Sequence, residues 1–318
     1  MPVLFLIAAC ALWGLSFPLL KALNLEQTAR MPESSSWFLA AWLQCVRFGL
    51  ASLLLLPLLP DRRRPTSNEI HQGLVIAGWG GAGLWLQADG LAYTAASTSA
   101  FLTQAYCIVL PLWACLRLRR RPAARVVLAT LMVLLGGAIL SGLRPGNLQL
   151  GRGEFETLCS ALLFSFQILA LENPRYKGNN GVAVSFVMFA AIAMLFVPVT
   201  LIAAPDLTLC ITAGASLQAG VIIACLTVFC SVGAYLCMNI WQPRVSATEA
   251  GLIYTIEPVF TAIYVLFLPA MLAGFIGGCY NNESITIKLV VGGALIIAAN
   301  ALMQWRRPPH LPPTAPVP

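Results

Sequence analysis

The sequence predicts an all-α membrane protein in which ten transmembrane helices form two inverted five-helix repeats. Apolar runs long enough to cross a bilayer recur along the chain, and similar motifs recur in its two halves. Charged residues make up 10% of the 318 positions, hydrophobic residues make up 59%, and the mean hydropathy is +0.81. Roughly a quarter of the residues of a soluble domain are charged, so this composition predicts a chain that lies in lipid.

The ten predicted spans are separated by short polar segments. They cover residues 3–23, 37–59, 70–92, 97–116, 123–143, 154–171, 181–203, 215–241, 246–272 and 286–305. The first run has no basic residue before it and continues past Cys10, so it is predicted to be a retained helix, not a removed signal peptide. The Pro-rich tail, residues 307–318, is predicted to be disordered and cytoplasmic.

Paired motifs predict the internal repeat. They are Ser99-Ala100 with Pro111, Ser246-Ala247 with Pro258 at the same spacing, and Gly-Gly-Ala at 136–138 and 292–294. The repeats are predicted to cover residues 1–145 and 150–306. Because each holds an odd number of spans, the second must enter the membrane from the opposite side, and such inverted repeats are typical of transporters.

Basic residues predict the orientation of the chain. The formal net charge is +7, and arginines cluster at 62–64 and 117–125, on the side of the membrane where the N-terminus lies. Cytoplasmic loops carry the excess of Lys and Arg, so both termini are predicted to be cytoplasmic. The predicted location is the bacterial cytoplasmic (inner) membrane, and no nucleic-acid partner is expected.

The motifs make the chain similar to the drug/metabolite transporter superfamily, with two EamA-type repeats. The motifs that carry the resemblance are Trp13-Gly14, Arg47-Phe48, Ser99-Ala100 with Pro111, Ser246-Ala247 with Glu257-Pro258, and both Gly-Gly-Ala motifs. The resemblance covers residues 3–305. It implies a basket of helices around a central cavity and the export or exchange of amino acids, nucleotide-linked compounds or other small polar metabolites. The Trp-Gly element is absent from span six, which has Ser165-Phe166-Gln167 where span one has Ser16-Phe17-Pro18.

Two charged residues fall in the middle of predicted spans, Glu257 in span nine and Arg47 in span two. A charge at this depth costs about 2.5–3.5 kcal/mol on insertion scales, so both should face a cavity or a partner. Glu257 would bind a substrate amine or a proton, and Arg47 a carboxylate. The alternatives are a structural ion pair and a neutral buried carboxyl group. Pro258 frees a main-chain carbonyl near Tyr254. Asp89, near the non-cytoplasmic end of span three, is expected to be solvated.

The predicted substrate-binding residues combine these charges with aromatic and hydroxyl side chains. They are Trp13, Ser16, Arg47, Trp85, Thr103, Tyr106, Tyr254 and Glu257. Thr103 and Tyr106 share a helix face at i and i+3. Packing and interhelical hydrogen bonds are the alternative role for the uncharged members.

The preferred function is a secondary transporter that works by alternating access and exports or exchanges a small polar or amphipathic metabolite. The alternatives are an uptake antiporter for a cofactor-like metabolite such as S-adenosylmethionine, a non-transporting scaffold and an intramembrane enzyme. No catalytic residue, metal or cofactor is predicted, since Cys/His clusters are missing and the GxGxxG at 78–83 lacks a preceding strand. The expected partners are the substrate, a coupled proton or counter-substrate, and the lipid bilayer; monomer and dimer both stay open.

Overall fold

The structure is a computed structural model. It describes residues 1–59, 64–117, 119, 121, 124–140, 150–204, 206–245 and 247–304. Within these ranges every regular element is a helix. The predicted tail, Ser246 and the ends of spans five and ten lie outside the described residues.

The helices of the first half follow the predicted spans. They are α1 (Pro2–Arg30), α2 (Ser36–Leu55), α3 (Ser67–Tyr93), α4 (Ala96–Thr103), α5 (Tyr106–Arg117) and α6 (Ala124–Leu140). Polar residues define two of the starts. The Ser35 side chain accepts from the Phe38 N–H at the start of α2, and Thr66 and Glu69 form a capping box at the start of α3.

The helices of the second half also fall on predicted spans, apart from the short α9. They are α7 (Arg152–Leu171), α8 (Gly181–Ala203), α9 (Thr208–Thr212), α10 (Leu217–Cys225), a π-helical segment (Leu226–Gly233), α11 (Ala234–Trp241), α12 (Ala247–Tyr254), α13 (Glu257–Val265), α14 (Leu268–Ile276) and α15 (Ile287–Gln304). Asn180 caps α8, and Ser216 caps α10.

Five helical stretches among the described residues are long and apolar enough to cross a membrane. They are Pro2–Arg30, Ser36–Leu58, Arg152–Leu171, Gly181–Ala203 and Leu217–Arg244. A sixth is added if α13 and α14, which are bent by 57° to each other, count as one span. α3 is long enough, but its glycines and polar residues make it less apolar. The protein is therefore a multi-pass helical membrane protein.

Predicted spans four and nine are not continuous helices. Span four is broken after Thr103. There the N–H groups of Gln104 and Ala105 each donate to the carbonyl oxygen three residues earlier, which tightens the turn. Span nine is broken after Tyr254, and Pro258 lies in the first turn of α13, where its missing N–H is tolerated. Both breaks fall within the predicted spans, and only the second lies close to the proline of its motif.

Helices of the first half pack on helices of the second. α2 packs against α8, α3 against α7, and α6 against α15. The two Gly-Gly-Ala motifs meet in the last of these pairs. A Cβ on Gly136 would lie 2.7 Å from the Gly292 carbonyl oxygen, and a Cβ on Gly292 would lie 2.9 Å from the Gly136 carbonyl oxygen. Glycine at both positions therefore permits a close backbone approach.

Two groups of helices form around the centre of the molecule. In what we name the α1 bundle, α1 packs against α10, the π segment, α11, α12 and α13. In the α3 bundle, α7 packs against α3, α4 and α5. α2 contacts both bundles, through α3 on one side and the π segment on the other. Each bundle therefore combines helices from both halves of the chain.

The bundles meet at the end of the molecule where α3 finishes and α4 begins, which we name the α3–α4 end. α4 packs there against α13 and α1. Lys21 Nζ on α1 donates to the carbonyl oxygens of Leu91, Ala92 and Thr94 at 2.6, 3.1 and 3.1 Å. Glu283, in the segment after α14, accepts from the N–H and hydroxyl of Ser97. Among the described residues, α5 and α12 make no comparable contact at the opposite end.

We expect Gly136→Ala to destabilise the protein, because the new methyl group would be forced against the backbone of α15. Overpacking of this kind costs about 1–3 kcal/mol. Gly220 on α10 is the matched control, since a Cβ there meets nothing within 4 Å. Gly220→Ala should leave the melting temperature of the detergent-purified protein unchanged or raise it through helix propensity. Equal melting temperatures for the two variants would contradict the close approach.

Candidate functional site

A central cavity lies between the two bundles. Its volume is about 70 Å³. Seven of the eight predicted site residues line it: Trp13, Ser16, Arg47, Thr103, Tyr106, Tyr254 and Glu257. Ligand pockets typically enclose about 300–1,000 Å³. The cavity is therefore smaller than a typical ligand pocket.

The eighth predicted residue, Trp85, is not brought to the cavity. Leu84 and Gln87 of α3 line the cavity, and Trp85 lies one position beyond Leu84, about 100° around the helix. The Trp85 indole packs edge-on against Trp37 and Phe196, with ring centroids 4.5 and 5.6 Å apart. Its Nε1 donates to the Trp37 carbonyl oxygen at 3.2 Å.

Glu257 begins α13 and is 7% exposed. Among the described residues its carboxylate takes part in no ion pair. The backbone here is fixed by α1, because a Cβ on Gly14 would lie 2.9 Å from Phe260 Cβ and 3.2 Å from the Glu257 carbonyl oxygen. Thr261 adds a hydroxyl near the carbonyl oxygens of Gly14 and Glu257, at 3.4 and 3.2 Å. The glycine of the Trp-Gly motif thus sets the position of the acid.

Arg47 reaches the cavity from α2 and is 2% exposed. Its Nε donates to Ser231 Oγ at 2.6 Å, and its guanidinium lies 5.2 Å from the centre of the Phe48 ring. Ser231 belongs to the π-helical segment, a distortion that is frequent at functional sites. Arg47 and Glu257, both of which the structure describes, form no ion pair, so the structural-pair alternative does not match the structure.

Aromatic rings form one wall of the cavity. The Trp13 indole meets Tyr235 and Tyr254 edge-on, each with ring centroids 5.5 Å apart. The Tyr254 hydroxyl donates to Gln242 Oε1 at 2.7 Å. Trp13 Nε1 is buried without a hydrogen-bond acceptor among the described residues. A buried unpaired donor is costly, so this N–H is available to a bound ligand.

The opposite wall carries amide side chains that are absent from the predicted site. Gln87 Nε2 donates to Thr103 Oγ1 at 3.0 Å, and Thr103 donates to the Ser99 carbonyl oxygen at 2.8 Å. Gln167 on α7 also lines the cavity. A polar amide in the middle of a predicted span is the signal that would have found both glutamines. Phe164, Tyr235 and Met238 carry no such signal.

Among the described residues no group of three or more His, Cys, Asp or Glu side chains is placed to hold a metal ion. The lining of the cavity presents charges, amides, hydroxyls and aromatic rings. One acid and one guanidinium, each without a charged partner, can bind opposite charges on a small molecule. This arrangement suits recognition of a ligand.

A polar cavity between helices from both halves of a multi-pass helical protein is typical of membrane transporters. Residues 1–142 match the EamA-like transporter family. The match, to a family of the drug/metabolite transporter superfamily, lies within the first predicted repeat and confirms the predicted resemblance there.

Among solved structures, a crystal structure described only as that of a protein shares the fold, with a TM-score of 0.55. The sequences are 17% identical, and the alignment covers 92% of this chain and 95% of the other. No curated protein matches the sequence.

We expect Arg47→Met to raise the stability of the ligand-free protein, because it removes a buried charge that has no charged partner. Desolvation of a buried ion costs on the order of several kcal/mol, and loss of the hydrogen bond to Ser231 offsets part of the expected gain. Arg152→Met is the contrasting variant, since Arg152 is ion-paired with Asp89 and Glu156, and it should destabilise the protein. Thermal unfolding of both proteins in one detergent tests this. A lower melting temperature for Arg47→Met would contradict it.

Proposed function

We propose that the protein is a secondary transporter for a small polar or amphipathic metabolite, such as an amino acid or a nucleotide-linked compound, which it exports or exchanges. The observation that carries the proposal is the central cavity, where Glu257 and Arg47 are both buried and neither has a charged partner among the residues that the structure describes. Buried charges in membrane proteins mark substrate or ion pathways. The match to a family of transporters favours this function over an enzyme or a scaffold.

The cavity side chains suggest how a substrate would bind. Glu257 would take a substrate amine or a proton, and Arg47 a carboxylate or phosphate through the guanidinium nitrogens that do not bond Ser231. The rings of Trp13 and Tyr254 would cover an apolar part of the substrate. A ligand with separated charges of both signs therefore fits this cavity better than a purely apolar one.

The arrangement of ten helices as two inverted repeats is part of the proposal. Helix pairings support it, because exchanging the halves turns the most extensive pairings into others that are present; the pairing of α4 with α13 is an exception, since it has no comparable counterpart between α5 and α12 among the described residues. In this exchange α3 corresponds to α10–α11, α4 to α12, and α7 to α1. The packing of α3 against α7 then corresponds to that of α10–α11 against α1, and the packing of α4 against α7 to that of α12 against α1. The pairs α2 with α8 and α6 with α15 become themselves, in agreement with the reciprocal contact of Gly136 and Gly292.

Alternating access would be a movement of the α1 bundle against the α3 bundle. The bundles are joined at the α3–α4 end by Lys21 and Glu283, and this supports a state closed at that end. With both termini on the cytoplasmic side of a bacterial inner membrane, the closed end would be the external one. Opening it requires these hydrogen bonds to break while contacts form between α5 and α12.

Glu257→Gln is expected to slow transport about tenfold or more and to change its pH dependence, because the variant keeps the side-chain size but loses the charge. The substrate is first found by screening amino acids, nucleotides and cofactors, including S-adenosylmethionine, for thermal stabilisation of the purified protein. Flux of the labelled hit is then measured in proteoliposomes.

The matched control is Glu33→Gln, which alters an exposed carboxylate in the turn between α1 and α2. It should transport at the wild-type rate. Unchanged flux and pH dependence in Glu257→Gln would exclude the proposed role of the acid. Chemical conversion of the labelled compound would indicate an enzyme, and a lack of flux for every stabilising compound would indicate a scaffold.

Lys21→Met is expected to open the α3–α4 end more often, because the variant cannot donate to the α3 carbonyls. The reporter is Ser16→Cys, labelled from that side with a membrane-impermeant maleimide after subtraction of the background from native cysteines. Labelling should become several-fold faster in Lys21→Met than in the reporter alone. Lys288→Met, which alters an exposed lysine on α15, should leave the rate unchanged. Equal labelling rates in all three proteins would show that Lys21 does not close this end.

A further inference from the structure

A second group of buried charges lies outside the cavity, where α3 packs against α7. Arg152, the first residue of α7, donates from Nη2 to Asp89 Oδ2 at 2.5 Å and from Nε to Glu156 Oε1 at 2.8 Å. Asp89 is 0% exposed and Glu156 is 6% exposed. The expectation that Asp89 is solvated is therefore wrong, because α7 covers the end of α3.

Each of the two acids has one oxygen without a donor. Asp89 Oδ1 and Glu156 Oε2 are buried and have no hydrogen-bond partner among the described residues. The two carboxyl groups are held close together, because Nη2 and Nε of the same guanidinium each bind one oxygen of a different acid. Two buried carboxylates at this distance repel, and each unpaired oxygen costs free energy. A single proton held between them would remove the repulsion and provide the missing hydrogen bond.

The charges around the pair do not balance it. Among the described residues one guanidinium faces two carboxylates, so this group of side chains carries one negative charge in excess unless it binds a proton. The neighbouring acid, Glu154, accepts from the Thr94 hydroxyl at 2.8 Å, and the Cys159 thiol also lies on α7. Lys21 of α1 bonds main-chain carbonyls at the end of α3, not these carboxylates.

The other described contacts of Arg152 are with uncharged residues, and they fix its guanidinium against the two carboxyl groups. The Arg152 guanidinium donates from Nη1 to the Tyr93 hydroxyl at 2.7 Å and lies 5.7 Å from the centre of the Trp37 ring. Ser36 of α2 accepts from Nη2 at 3.5 Å. Arg152 itself is 40% exposed in its side chain, so it separates the buried pair from solvent. A proton from solvent can therefore reach the two acids by passing only the Arg152 side chain.

We propose that Asp89 and Glu156 form a proton-binding site that is separate from the central cavity. In it one proton is shared between Asp89 Oδ1 and Glu156 Oε2, as in other pairs of adjacent carboxyl groups. Release of the proton to solvent leaves two carboxylates on Arg152, and uptake of a proton reverses this. Proton binding does not depend on the proposed transport function; only the coupling described next rests on it.

The position of the pair links it to the closure of the α3–α4 end. Asp89 is flanked by Ala88, whose carbonyl oxygen accepts from Asn24 of α1 at 3.4 Å, and by the carbonyls that Lys21 binds. A change of charge at Asp89 therefore occurs within the segment of α3 that meets the α1 bundle. The proton would be the coupled ion of the transporter, bound where the bundles join.

Infrared spectroscopy of the full-length protein in detergent tests the site without any substrate. The wild type should show the carbonyl stretch of a protonated carboxylic acid that titrates with pH. Asp89→Asn and Glu156→Gln should each lose the same band, because either substitution removes one half of the shared proton site. Glu154→Gln, next to the pair on the same helix, should keep it.

The outcomes distinguish a shared proton from a plain ion pair and from a metal-cation site. Gel filtration and circular dichroism establish that each variant is folded. An unchanged band in Glu156→Gln or in Asp89→Asn would overturn the proposal, since the acids would then serve only to pair with Arg152. Loss of the wild-type band on addition of Na⁺ would overturn it in favour of a metal-cation site. A protein that keeps the band and moves no metabolite would retain the proton site and refute the transport function.

Discussion

Burial of Glu257 and Arg47 without charged partners is the constraint on which the rest of the structure depends. An acid and a guanidinium in a membrane protein must be surrounded by protein and not by lipid. The chain meets this requirement by placing helices of both halves around the two residues, with α1 against α13 at Gly14 and α2 against the π-helical segment at Ser231. The same helices line the central cavity.

The positions of the helices were predictable from the sequence, but their breaks were not. Apolar runs set where a helix can lie in lipid, so the observed helices fall on the predicted spans. The break after Tyr254 has a local cause in Pro258, whereas the break after Thr103 lies well before Pro111 and no local residue type marks it. Bends of this kind depend on tertiary packing, which a single sequence does not report.

The charged site residues were predictable because a buried charge is costly and therefore rare in a span. Trp13 and Tyr254 followed from their place near the motifs, but aromatic residues are abundant in membrane helices, and Trp85 was selected on the same ground although its ring packs between Trp37 and Phe196. Burial of Asp89 could not be predicted, since it results from the pairing of α3 with α7. The sequence identifies the charged residues that must be shielded from lipid, and tertiary packing determines where each of them is buried.

The two predicted copies of the core helix differ at the residue before the proline. Glu257 precedes Pro258 in the second copy, and Leu110 precedes Pro111 at the same place in the first. The cavity accordingly has an acid on the side of the α1 bundle and the neutral amides of Gln87 and Gln167 on the side of the α3 bundle. A symmetrical pair of acids would repel across a narrow cavity. With a single acid on one side of the cavity, the proposed binding of a substrate cation or proton by Glu257 would give a bound molecule one preferred direction relative to the two halves.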